Sequence, residues 1–87
     1  MSNVIHKFIL DIDRDNLIAL PESAQFLTAQ IQEGILVVWA LINRTERQVS
    51  RHLRVYMTGQ PIGESIRSYI ATVQAEPIVL HVFEVEP

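Results

Sequence analysis

Three histidines, His6, His52 and His81, and six arginines are the side chains of this sequence best suited to chemistry. The histidines lie far apart, no pair has the His-x-x-x-His spacing that puts two imidazoles on one metal, and there is no cysteine to add a thiolate. No metal site and no cofactor are therefore expected. Ser50, Ser65 and Ser68 are the candidate nucleophiles, but none sits in a Gly-x-Ser-x-Gly elbow. Glu84 and Glu86 share a strand face, and so close to the end of the sequence they read as solvated charges, not as an acid/base pair. The expectation is a protein that is not an enzyme.

The arginines carry more information. Arg44, Arg47, Arg51 and Arg54 fall within eleven residues that hold one acid, Glu46, so this segment has a charge of +3 in a chain whose net charge is -3. A planar guanidinium matches phosphate and carboxylate, and a single lysine leaves arginine as the dominant cation. His52, Arg54, Tyr56 and Thr58 alternate onto one strand face. With Arg51 and His81 they form a candidate binding site for an anionic, ring-bearing ligand: guanidinium on phosphate, tyrosine on a base, hydroxyl on a ribose. The competing reading is that carboxylates from other strands neutralise these arginines. His81 stands in the apolar run Val79-Leu80-His81-Val82-Phe83, either as a hydrogen-bonded core histidine or as a donor facing the ligand. Trp39, the one tryptophan, has neighbours of buried type and reads as core.

These residues need elements to hold them. The chain has 87 residues, enough for one domain spanning 1–87 and too few for two. Without disulfides it must stabilise itself by burial, and 48% of it is apolar against 20% charged. A body this small has much surface for its volume, so part of that apolar area is expected to be covered by another copy of the chain, making a homo-oligomer. The opening residues lack a basic stretch followed by an apolar one, and no run approaches the ~20 apolar residues of a membrane span, so a cytoplasmic protein without membrane contact is expected. Nucleic acid is an unfavourable partner for an acidic body with four clustered arginines.

Seven strands can be read. Val4–Leu10 and Asn16–Leu20 are expected to form a hairpin around the acidic turn Asp11-Ile12-Asp13-Arg14-Asp15, with Pro21 ending the second strand. Gln25–Gln32 alternates, with Leu27, Ala29 and Ile31 on one face, and turns at Glu33-Gly34 into Ile35–Ile42, which is apolar on both faces as if covered on each side. Val49–Thr58 alternates again. Gly59–Ser65 is the longest loop, with at most one helical turn near 64–68. Tyr69–Gln74 and Ile78–Val85 close the chain around Ala75-Glu76-Pro77. The fold class expected is all-β: a small antiparallel sandwich or partly open barrel of about six to seven strands.

The stretches Leu53-Arg54-Val55-Tyr56-Met57-Thr58-Gly59-Gln60-Pro61-Ile62, Tyr69-Ile70-Ala71-Thr72-Val73-Gln74 and Leu80-His81-Val82-Phe83-Glu84, with Trp39-Ala40-Leu41, resemble a family of small phage-encoded proteins, a domain of unknown function. Ala71 and Leu80 stand where that family carries glycine and tryptophan. The resemblance implies phage origin and expression in the host bacterial cytoplasm. It makes an accessory protein the leading expectation: a homo-oligomer that counteracts host defence by sequestering a phosphorylated, nucleotide-like signal. Direct inhibition of a host defence protein by an interaction module is the second reading, and a minor structural component of the virion the third.

Overall fold

A computed structural model describes residues 3–87. Its seven strands are β1 (Asn3–Ile9), β2 (Asn16–Pro21), β3 (Gln25–Gln32), β4 (Ile35–Asn43), β5 (Gln48–Met57), β6 (Ile66–Ala75) and β7 (Ile78–Val85). All pair antiparallel, in a three-stranded sheet ordered β1-β4-β3 and a four-stranded sheet ordered β2-β5-β7-β6. The all-β expectation holds, and among the described residues there is no helix. In place of the helical turn expected near 64–68, β6 already begins at Ile66. No segment of the described residues is a helix long and apolar enough to cross a membrane.

The expected hairpin of the first two strands does not form. The acidic turn carries the chain from one sheet to the other, so β1 pairs with β4 and β2 with β5. Asn16 builds that turn: its Oδ1 accepts from the Asp11 amide at 2.8 Å and its Nδ2 donates to the Asp11 carbonyl at 2.9 Å. The β3–β4 hairpin forms as read, with Glu33 (φ 51°) and Gly34 (φ 80°) both in the left-handed region that a two-residue turn of this hand demands. A bulge between Phe26 and Thr28 makes Leu27 the extra residue, so Phe26 packs on the core and Leu27 is exposed, against the expected alternation.

The inward phases of both sheets meet in one core, where Leu20, Leu53, Leu80, Val38 and Val82 are sealed from water. Each such side chain contributes about 1.5–3 kcal/mol relative to exposure. Strand β3 runs beside β6 and closes one side of the sandwich. The opposite side, between the edges of β1 and β2, is an open groove lined by His6, Phe8, Ala19, Pro21 and Arg44. Among the described residues, the β1–β2 and β5–β6 loops reach over part of the four-stranded sheet's outer face, whereas no loop lies over that of the three-stranded sheet. That fact decides what the site residues can do.

Candidate functional site

Strand β5 deals its side chains alternately inward and outward, and this separates the arginines. Arg51 shares the inward phase of Leu53 and Val55, whereas His52, Arg54 and Tyr56 share the outward one. Arg51 is therefore not beside Arg54, which corrects the expectation that the two converge on one ligand. Its guanidinium lies between the sheets, buried, with Nε 2.6 Å from Glu84 Oε2 and Nη2 2.8 Å from Glu84 Oε1. Nη1 donates to the carbonyls of Pro21 (3.0 Å), Glu22 (3.3 Å) and Ala24 (2.9 Å). The Phe26 ring lies 4.9 Å from Cζ.

This is a structural clamp. Residues 22–24 carry the chain from one sheet to the other, and the carbonyls of the buried Pro21 and Ala24 and of Glu22 need donors where the strand ladder has ended. Arg51 supplies them, and Glu84 supplies its counter-charge through a bidentate pair. Glu84, read from the sequence as a solvated charge, is thus buried; Arg67 adds a second contact to it at 3.8 Å while also pairing with Glu86 at 3.1 Å.

The outer face of the β2-β5-β7-β6 sheet gathers the remaining candidates. Register places Arg54 opposite Phe83, Tyr56 opposite His81, and Thr72 opposite His81 on its other side. Two loops fold carboxylates onto this face. Asp15, in the β1–β2 turn, hydrogen-bonds Arg54 and faces His52 Nε2 at 3.3 Å, outside hydrogen-bonding geometry. Glu64, in the β5–β6 loop, pairs with Arg54 Nη1 at 3.1 Å and accepts a hydrogen bond from the Tyr56 hydroxyl. Burial of the phenol, then that bond and the Glu64 charge, push Tyr56 up to about 12. Desolvation lowers Arg54, but Asp15 and Glu64 outweigh it and leave the guanidinium net raised. Both strengthen a cation already neutralised twice, with nothing left over for a phosphate.

An aromatic ladder follows: Phe83 meets Tyr56 edge-on at 6.1 Å and Tyr69 at 5.6 Å. His81 stands beyond it on the surface and not in the core. Its Nε2 is 2.7 Å from Thr58 Oγ1 and its Nδ1 3.1 Å from Thr72 Oγ1, and the Tyr69 hydroxyl donates to Thr72 at 2.9 Å. Thr58 and His81 have the reach of a nucleophile and its base. The orienting group, however, is a neutral hydroxyl, which stabilises an imidazolium far less than a carboxylate would, and both threonines are exposed.

The outer face of the β1-β4-β3 sheet is different in kind. Outward rows run Ile5–Leu41–Gln25, Lys7–Trp39–Thr28 and Ile9–Val37–Gln30, with Ile35 beside Gln32 below them. Ile5 is 58% and Ile9 68% exposed, and Trp39 is half-buried on this face, not in the core as its neighbours suggested. The single charge, Lys7, reaches sideways across β4 to Gln32 Oε1 at 2.6 Å. Among the described residues no loop lies over these rows: Val37 is buried among Lys7, Ile9, Gln32 and Ile35, but Ile5, Ile9 and Ile35 stay exposed, so the strand expected to be covered on both faces is fully covered on one only.

Of the sequence-derived candidates, His52, Arg54, Tyr56, Thr58 and His81 thus share one face and Arg51 does not; the apolar face around Trp39, read from the sequence as covered, was not among the candidates. Its signal was present in the outward phase of Ile35–Ile42, which has no polar residue. The chain belongs to the family described as domain of unknown function DUF7352, matched over residues 1–87. No curated protein and no solved structure matches it.

Proposed function

We propose that this domain is a non-enzymatic binding module that docks a protein on the outer face of its β1-β4-β3 sheet. One observation carries the reading: Ile5, Ile9, Ile35, Trp39 and Leu41 stand together on a sheet face over which no other layer of the described residues lies. Contiguous apolar surface of this kind, with a tryptophan at its centre, is the signature of a protein interface. On the phage origin that the resemblance implies, the partner is a host protein, and occupying its surface is the means of inhibition.

The geometry favours this over capture of a phosphorylated signal. A phosphate approaching Arg54 must displace Asp15 and Glu64, and Arg51 is out of reach between the sheets. Affinity capture from the proteome of the producing cell separates the two. Trp39→Asp is expected to abolish capture of a stoichiometric protein partner while Arg54→Gln leaves it intact. Retention of the partner by Trp39→Asp, or a co-purifying ligand absorbing near 260 nm that Arg54→Gln releases, would reverse the assignment. Recovery of the protein in purified virions would assign the same face to a structural neighbour.

A further inference from the structure

The edge of the docking sheet tells what else sits against it. Each of the other three edge strands carries a device that discourages pairing: β2 ends in Pro21, β3 is bulged at Leu27 and runs beside β6, and β6 has shifts at Ile66/Ser68 and Tyr69/Ala71. Strand β1 has none. It is seven residues long, regular in register along its length, and among the described residues pairs with β4 alone. Its one charge, Lys7, is drawn over the sheet to Gln32 and away from the edge. Because the Leu10 amide bonds the Leu36 carbonyl, alternation directs the backbone groups of Asn3, Ile5, Lys7 and Ile9 toward the free side.

We infer that a second copy of this chain occupies that edge, pairing β1 with β1 antiparallel about a twofold axis to make one six-stranded sheet. The inference rests on the reading of this sheet as the docking surface. Two arguments choose this occupant. The first is charge. Antiparallel pairing brings the Asn3 end of one copy to the Ile9 end of the other. Asn3 lies opposite Asn43, so Arg44 flanks the first end, with Arg47 in the same loop, and Asp11 and Asp13 follow the second. Among the described residues neither Arg44 nor Arg47 has a carboxylate within ion-pair distance, and both are exposed. Across two strand spacings, about 10 Å, arginine and aspartate side chains meet. The register that sets Ile5 against Lys7 of the other copy also avoids placing the two lysines directly opposite.

The second argument is area. Three strands of seven to nine residues present a face of only about 400 Å² at ordinary strand spacing and rise, roughly half of the ~800 Å² that a stable interface takes from each partner. Two copies joined edge to edge present the full area as one continuous platform, with a Trp39 on each half.

Sedimentation velocity on the intact chain, from ~1 to ~100 μM, tests this at concentrations where a pair of moderate affinity is populated. A dimer is expected. Ile5→Pro deletes an edge-facing amide that β4 does not use and is expected to give a folded monomer. Arg44→Asp is expected to loosen the dimer roughly tenfold, and adding Asp11→Arg to restore it, a rescue that a folding defect cannot imitate. A wild-type monomer at the highest concentration overturns the inference, as does a dimer indifferent to these changes yet broken by Trp39→Asp, which would mean face-to-face stacking. A wild-type monomer that still captures its partner through Trp39 would leave the docking function standing, so the two readings fail separately.

Discussion

Arg51 and Arg54 are three residues apart on one strand, yet one is enclosed between the sheets and the other lies on the outside of the same sheet. Both have carboxylate partners, but the partners differ in what they cost to remove. Arg51 and Glu84 are satisfied completely in a dry region and hold the carbonyls of the sheet crossing. Arg54 shares water with Asp15 and Glu64, which loops deliver from either side. The difference teaches that a cluster of like charges in sequence is dispersed by strand alternation, and that topology decides which members remain available to a ligand. Neither of these two does.

The sharpest way to test the contrast is to remove one partner from each region. Arg51→Ala leaves Glu84 charged and buried and takes a donor from three carbonyls, of which that of Pro21 keeps the Ala24 amide, so about 3–5 kcal/mol of stability should vanish in urea unfolding. Arg51→Met combined with Glu84→Leu removes both charges together and should recover much of that loss. If Arg51→Ala instead costs no more than a surface substitution, the distinction between inside and outside collapses.

Next in size is the outer-face network itself, read through Tyr56. Its folded value of about 12 lies above the ordinary 10.0, so the protonated phenol belongs to the folded state. The unfolded chain loses that proton first as pH rises. The stabilisation is therefore whole below pH 10 and is lost progressively between about 10 and 12. In Tyr69→Phe, absorbance at 295 nm follows Tyr56 alone, since the chain has two tyrosines, and should titrate in that upper window. Arg54 is the one neighbour that lowers this value, so Arg54→Gln should move the titration higher still. The same variant should cost no more than about 1 kcal/mol in unfolding, because the pair it breaks is in contact with solvent.

How much of this was legible follows from which interactions are local. All seven strands showed themselves, because alternation and turn residues such as Glu33-Gly34 act within a few positions. Pairing did not: the acidic turn was recognised as a turn, but whether it returns the chain to its own sheet or sends it to the other is settled by contacts with β4 and β5 far along the chain. Strand β6 was read three residues short at its start and one at its end, and the two register shifts near that start break the period that identifies a strand. The clamp, by contrast, was readable and was missed. Arg51 falls in the phase of Leu53 and Val55, and Glu84 in the phase of Leu80 and Val82, so each is a charge out of place in an apolar row, and their signs are opposite. Reading the arginines as one cluster hid the two-residue period that separates them.

Arg44 and Arg47 give the smallest effect and the most discriminating one. They belong to the same basic segment as Arg51 and Arg54, but they lie in the β4–β5 loop, where alternation does not apply and no carboxylate of the described residues pairs with them. Replacing either by Gln removes no buried group and no hydrogen bond that the fold depends on, so unfolding free energy should change by no more than about 0.5 kcal/mol. The charge remains useful only for something outside the chain. Stability unchanged together with weaker self-association is the pair of results expected from urea unfolding and sedimentation of Arg44→Gln. A stability loss comparable to that of Arg54→Gln would show that the loop arginines, too, are held by the protein's own carboxylates. The segment would then have no cation free for any partner.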